Sequence, residues 1–295
     1  MYAIFKDVMN VTWLEGLQKA LIYIENNLEE KLEIEAIARV ANVSLFHFQR
    51  TFTILTEIPV GEYIRRRRLS MAGQSLLHSR EKIIDIALRY GYDTPEAFTK
   101  AYRRQHGVTP SETRRGIGSL KIYNPLVIQV QLKGAEPMKV KVVEKEAFTI
   151  VGMKKSYTFK EDENLREIPK LWDEVNKNGT VNELLMLTRG EIPGVLGVCV
   201  EESEAAGKDM DYWIAVATED KSEKYDQLVI SASKWAVFEV HGPMPQSMQK
   251  VWKQIYSEWM PSSGYQQAGF ISFERYTDDD PSSENCYSEI WIPVK

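Results

Sequence analysis

From Thr12 to about Gly118 apolar residues recur at three- and four-residue spacing, and polar start and stop signals divide the pattern into helices. Thr12-Trp-Leu-Glu15 has the form of a capping box and opens a helix that runs to about Leu28. Ser44 caps a helix of about twelve residues in which Leu45, Phe48, Phe52 and Leu55 share one face. A longer helix is predicted over Val60–His78. Thr94-Pro95 pairs an N-cap with a proline at the first helical position, Gly107 offers a left-handed stop, and Thr109-Pro-Ser-Glu112 is another capping box. Beyond 120 the period changes. Val127–Leu132 has strand character, Gly134–Pro137 marks a linker, and short β-branched and aromatic strands then alternate with two clear helices at about 164–177 and 245–259. The expected organisation is multidomain: an all-α domain over 1–118, a linker over 119–137 and an α+β domain over 138–295.

The helical part repeats itself. Ile37-Ala38-Arg39 matches Ile86-Ala87-Leu88, and one residue later in offset Ser44, Phe48, Arg50 and Phe52 match Thr94, Phe98, Lys100 and Tyr102. Each copy is a short apolar helix, a turn holding a residue that tolerates positive φ (Asn42, Gly91) and an N-capped second helix. That is a double helix-turn-helix, in which the second helix of each pair is free to enter a major groove. The face of the first reader opposite its apolar stripe carries Phe46, Gln49, Arg50 and Thr53; the second reader turns Glu96, Thr99, Lys100 and Arg103 outward while Phe98 and Tyr102 go inward. The helix between the copies has nineteen residues, about 28 Å, enough to hold two readers near the roughly 34 Å spacing of successive major grooves. It carries Arg65-Arg66-Arg67-Arg68, which sweep through most of a turn; some should pair with acids or cover apolar surface, and one or two should meet phosphate. Charge agrees: residues 36–118 hold 14 Lys or Arg against 7 Asp or Glu, whereas residues 119–295 hold 20 against 28.

The second half also repeats. Lys170-Leu-Trp172-Asp-Glu-Val175 matches Lys250-Val-Trp252-Lys-Gln-Ile255, and each helix follows one strand (Phe148–Lys154; Trp235–His241) and precedes two (near 194–201 and 211–219; near 270–277 and 286–294). Two pseudo-symmetric β-α-β-β units follow, with room for a ligand between them. Glu289 shares a strand face with Tyr287 and Trp291, while the repeat offset places Ile214 in the symmetry-related position, so the fold itself does not require an acid there. A carboxylate among aromatics suits a lipophilic cation; an edge-strand glutamate facing water is the plainer alternative.

Composition narrows the classes. The net charge is −5 and no apolar run approaches the roughly 20 residues of a membrane span. The N-terminus lacks the form of a signal peptide. Cys199 and Cys286 are far apart, and the four histidines (His47, His78, His106, His241) are scattered, which predicts no metal, no cofactor and a cytoplasmic protein.

Residues 12–116 resemble the AraC-type DNA-binding domain, through Ser-Leu-Phe-His-Phe-Gln-Arg-Thr-Phe (44–52), Gly91-Tyr-Asp-Thr-Pro-Glu-Ala-Phe98 and Gly107-Val-Thr-Pro-Ser-Glu-Thr-Arg114. The resemblance implies base contacts from Phe46, Gln49 and Arg50 and from Glu96, Ala97 and Lys100, with Thr94 and Arg103 beside them, and gives the first reader more of the specificity. Glu57 stands where that family usually has glycine. Residues 138–295 resemble the GyrI-like effector-binding domain, through His241-Gly-Pro243, Trp259-Met-Pro-Ser-Ser-Gly-Tyr265, Phe273-Glu-Arg-Tyr276 and Ser288–Val294. That implies an aromatic pocket with Glu289 at its base and Tyr212, Trp213, Tyr265, Tyr276 and Trp291 as walls, Phe238 as a weaker member, and Trp172 and Trp252 as packing residues. The domain order is that of the Rob type of regulator. The resulting expectation is a transcription regulator, not an enzyme, with double-stranded DNA, a small lipophilic or cationic effector and RNA polymerase as partners and no membrane. A GyrI-like hydrolase, a drug-sequestering protein and a protein-interaction module are the alternatives.

Overall fold

A computed structural model describes residues 12–128, 138–158, 163–201, 209–220, 222–277 and 280–295. Val11–Gln131 forms one compact unit and Leu132–Lys295 belongs to the other. The linker motif Gly134–Pro137 and most of the strand expected at Val127–Leu132 lie outside the described residues; Val127 and Ile128 belong to no strand.

The first unit is helical: α1 (Thr12–Asn26), α2 (Ile34–Val40), α3 (Leu45–Thr56), α4 (Val60–His78), α5 (Ile83–Arg89), α6 (Pro95–His106) and α7 (Pro110–Arg114). The caps form as the sequence dictates. The Ser44 hydroxyl accepts from His47 N–H and the Thr94 hydroxyl from Ala97 N–H, each at 3.2 Å, and the Thr109/Glu112 box closes reciprocally. The side chains of the box expected at Thr12 lie outside the described set. Asn42 (φ 57°) and Gly91 (φ 82°) make the two helix-turn-helix turns. Glu57 ends α3 at φ 62°, the conformation a glycine would take, so the departure from the family pattern leaves the helix end unchanged at the cost of a strained side-chain-bearing residue.

α4 lies between two cores. One gathers α1–α3 around Ile24, Ile37, Phe48 and Phe52; the other gathers α5 and α6 around Leu69, Leu76, Phe98 and Tyr102. All four arginines of α4 are engaged inside the unit. Arg65 and Arg66 grip Glu62, Arg67 pairs with Glu25 of α1 at 2.7 Å, and Arg68 donates to the carbonyls of Leu28 and Glu30. Arg67 and Arg68 thus clamp the α1 side to α4, while Arg65 and Arg66 pair within α4 and stay partly exposed.

The second unit contains β1 (Val140–Lys145), β2 (Phe148–Thr158), α8 (Glu163–Lys177), α9 (Thr180–Leu187), β3 (Val195–Glu201), β4 (Asp209–Ala217), β5 (Asp226–Ile230), β6 (Ser233–His241), α10 (Gln246–Gln254), a π-helical turn at Ile255–Trp259, α11 (Met260–Ser262), β7 (Ile271–Tyr276) and β8 (Tyr287–Pro293). The strands form one antiparallel sheet in the order β1-β6-β8-β7-β3-β4-β2-β5. The order is a palindrome of the two expected repeats, with β3 and β7 at the centre. Two edge strands, β1 and β5, extend it beyond the expected units, each pairing with the opposite repeat. α9 is a third helix that its largely exposed apolar residues, Leu185 and Met186, concealed from periodicity.

The connections force this sheet to roll. Lys145 to Phe148 and Ile230 to Ser233 each span about 10 Å at most, yet each joins strands six positions apart, about 29 Å in a flat sheet. The registers Lys145↔Ser233 and Phe148↔Ile230 bring all four ends to one corner. The enclosed face packs Leu196, Val198, Trp213, Trp235, Phe273 and Trp291 into one core. α8 and α10 pack on the other face, where Leu171, Val175, Met248 and Trp252 are buried.

Candidate functional site

In the first unit, α6 presents its expected readers openly. Glu96, Ala97, Lys100 and Arg103 are exposed, as is the cap Thr94. With Arg65, Tyr92 and Thr109 they border an open groove along the helix. On α3 the expected outer face is partly covered: Phe46 is 6 % exposed and Gln49 2 %, while Arg50 and Thr53 are half-exposed and the Arg50 guanidinium lies 5.6 Å over the Phe46 ring. Helical spacing groups residues on a face but does not decide whether that face is covered. Burial, with the charge of Arg50, pushes the His47 imidazole beside them down to about 4.

In the second unit the pleat separates the expected pocket residues. Trp213 and Trp291 belong to the enclosed core, and Glu289 shares their face. Glu289 is 2 % exposed. It accepts from Arg275 Nε at 2.9 Å, Tyr287 Oη at 2.7 Å and Trp291 Nε1 at 2.7 Å. Burial opposes its charge, but the hydrogen bonds from Arg275 and Tyr287 and the guanidinium charge outweigh that and hold the carboxyl below the ordinary 4.5. Burial, together with the hydrogen bond to Glu289, pushes Tyr287 up to about 12. The carboxylate is thus an internal strut of the rolled sheet. The repeat offset that equates Glu289 with Ile214 is one residue out of register: Ile214 pairs with Gly197 and faces the helices, whereas Glu289 faces the core.

The helix-facing side brings together Tyr212 and Tyr276, both expected, with Trp172, Trp252 and Glu274. Trp172 Nε1 of α8 donates to Tyr212 Oη at 2.8 Å. Trp252 Nε1 of α10 donates to Glu274 Oε1 at 2.7 Å, and Tyr276 Oη donates to Glu274 Oε2 at 2.6 Å. The Trp172 and Tyr276 rings meet edge to face at 5.1 Å, closing the cluster between the helices. Its floor is the central strand pair, where Glu274 lies directly opposite Gly197. A Cβ on Gly197 would collide with the Tyr212 hydroxyl and press on Trp172, so the glycine makes room for both rings. Tyr265 lies elsewhere, stacked on Trp259, which meets Phe238 edge-on. Glu274 was legible in principle: it alternates with Tyr276 in Phe273-Glu-Arg-Tyr276, and the register to β3 decides which face that is. Among the described residues no group of three or more metal-ligating side chains forms, and no helix is long and apolar enough to cross a membrane.

Comparison with known proteins gives both units a family. Residues 37–116 match a helix-turn-helix domain and residues 138–295 match the GyrI-like small molecule binding domain. The HTH-type transcriptional activator AarP of Providencia stuartii is 35% identical over 114 residues, 38% of this chain and 84% of that protein. The right origin-binding protein of Escherichia coli K12 is 37% identical over 99 residues, 34% of each chain. Thus the chain spans about a third of that relative's length in alignment. The solved structure of SAV2435 bound to tetraphenylphosphonium is 29% identical, with a TM-score of 0.49 over 54% of this chain and 94% of that one. The helix-turn-helix unit implies a DNA partner and the GyrI-like unit a small-molecule one, and the chain belongs to the AraC-type helix-turn-helix transcription regulators that carry a GyrI-like small molecule binding domain.

Proposed function

We propose that this chain is a one-component cytoplasmic regulator whose DNA binding, or recruitment of RNA polymerase, changes when a lipophilic cation enters the space between α8 and α10. The observation that carries the reading is Glu274, held by Trp252 and Tyr276 at the centre of the sheet, with Trp172 and Tyr212 alongside. An anionic group walled by indole and phenol rings attracts a cation through charge and through the ring faces together. Glu289 is the weaker candidate, because Arg275 already neutralises it and it faces the core. On the DNA side, the exposure of Thr94, Glu96, Ala97, Lys100 and Arg103 on α6 supports their meeting a groove. Reading by Phe46 and Gln49 requires their face to be uncovered.

The test uses tetraphenylphosphonium, a permanently charged aromatic probe, on the full chain. It should raise Tm in a saturable way in the native protein and at least tenfold more weakly in Glu274→Gln. Equal binding by the two removes Glu274 from the site. The same Glu274–Tyr276 pair favours one rival, a hydrolase in which the carboxylate acts as general base; turnover of an ester or epoxide probe that Glu274→Gln abolishes would support it. For DNA, Arg50→Ala should weaken binding to a duplex selected from a random library by about 1–3 kcal/mol and relax its sequence preference; an unchanged preference excludes Arg50 as a reader.

A further inference from the structure

Past α7 the chain does not leave the first unit. Leu120 enters the second core, against Gly73 of α4 and the Tyr102 ring. Three residues later the Tyr123 N–H donates to Ser70 Oγ at 2.9 Å, and its carbonyl accepts from Arg67, the residue that also holds Glu25 of α1. Leu126 N–H donates to Tyr63 Oη at 3.2 Å, and Leu126 and Ile128 pack on the first core. His106 fixes the other end: its Nε2–H points at the Leu69 carbonyl at 3.1 Å, which leaves Nδ1 to accept the Lys121 N–H at 3.2 Å.

We propose that residues 120–128 are a strap that fixes the two helix-turn-helix halves against one another and so belongs to the DNA-binding machinery rather than to a passive linker. Three independent features carry this. The segment is seated in both cores at once. Its backbone, which in a free linker would be hydrated, is hydrogen-bonded to the buried side chains of Ser70, Gln105 and His106, which are themselves fixed on α4 and α6. Gly73 interrupts α4 at a position where alanine would favour the helix by roughly 1 kcal/mol, and an added Cβ there would meet Leu120 at 3.0 Å. The same Cβ would meet the Tyr102 hydroxyl at 3.2 Å, so Leu120 of the strap and Tyr102 of α6 share the space that the glycine leaves. The chain runs from Ile128 toward the GyrI-like unit, so tension on the strap would reach both reading helices. That last step rests on the proposed effector response; the strap's role does not.

Hydrogen exchange and DNA affinity of the full chain test it, using a duplex selected by the native protein from a random library. Leu126→Ala with Ile128→Ala touches only the first core. The proposal expects amide protection to fall at least tenfold in α6, on the far side of α4, and DNA affinity to fall at least tenfold. Protection lost only near 126–128 and α1, with affinity unchanged, would overturn it. If that variant fails to fold, a Gly-Ser insertion between Tyr123 and Asn124 keeps both anchors and slackens the strap. The insertion should weaken DNA binding at least tenfold while helical content is retained, and full affinity would again overturn the proposal.

Discussion

Two glutamates fifteen residues apart, on neighbouring strands of one sheet, face opposite sides of it. Glu289 faces the enclosed core and is matched by a guanidinium, a phenol and an indole of its own domain. Glu274 faces the helices, where its partners include the Tyr276 phenol and the Trp252 indole, beside a glycine that opens the floor next to it. Both are carboxylates among aromatics, so residue type does not distinguish them. What differs is the face: one is shut in by the roll of the sheet, the other lies under two helices that are separate pieces of chain. A buried charge paired within the sheet holds the roll together; the proposed ligand role of Glu274 rests on its place beneath two helices.

Changes to the two sites sharpen the contrast. Arg275→Ala removes the nearer of the two cations on buried Glu289, leaving Lys141 at 3.5 Å, and should cost about 3 kcal/mol of stability, the low end for breaking a buried pair, read as a fall in the denaturation midpoint of the second unit; a loss below about 1 kcal/mol would mean Glu289 is not an internal strut. Acid attacks the same strut. Because the folded-state pKa of Glu289 lies below its ordinary 4.5, its contribution is complete above that value and fades as the pH falls beneath it. The helix-turn-helix unit should weaken earlier. Burial lowers His106 and His47 from 6.5, so their neutral forms stabilise that unit above 6.5 and the benefit is lost as the pH drops. Hydrogen exchange at pH 7, 5.5 and 4 should therefore show α3 and α6 opening before β7 and β8, and the reverse order would contradict the assignments.

Glu274→Gln keeps the shape and one acceptor oxygen for Trp252 Nε1, while its amide N–H would donate to the Tyr276 hydroxyl that now donates to it; stability should change by about 1 kcal/mol or less while tetraphenylphosphonium affinity falls at least tenfold, roughly 1.4 kcal/mol. Gly197→Ala is the mildest. It displaces the Tyr212 hydroxyl from Trp172 and should cost about 1 kcal/mol, the worth of one such hydrogen bond, with the larger part of the change in ligand affinity. A neutral result would show that the floor has slack.

The helical half was legible almost residue by residue, because its signals are local. Ser44, Thr94 and Thr109 cap where their hydroxyls sit within reach of an N–H three residues on, and Asn42 and Gly91 turn where positive φ is tolerated. Glu57 shows that even a missing glycine does not move a helix end fixed by packing. The strands of the second half were legible from β-branched alternation, but β1 and β5 were not, since edge strands are only half covered and carry a diluted pattern. For Glu289 alternation gave the right partners on its own strand, Tyr287 and Trp291, but not which side of the sheet they share, because that depends on the register of β8 with β7.

The sequence by itself therefore determined the two classes of domain, the helix boundaries, the internal repeats and the set of residue types from which a site could be built. Those follow from spacing, capping and charge, which act over a few residues. Only the tertiary structure decided which face of each strand meets the helices, that Arg67 and Arg68 grip the α1 side while Arg65 and Arg66 pair with Glu62, that residues 120–128 return to the first unit, and that Glu274 rather than Glu289 lies on the strand pair where the two repeats meet. Each of those depends on a pairing between segments tens of residues apart, where one step of register turns a side chain from core to cleft.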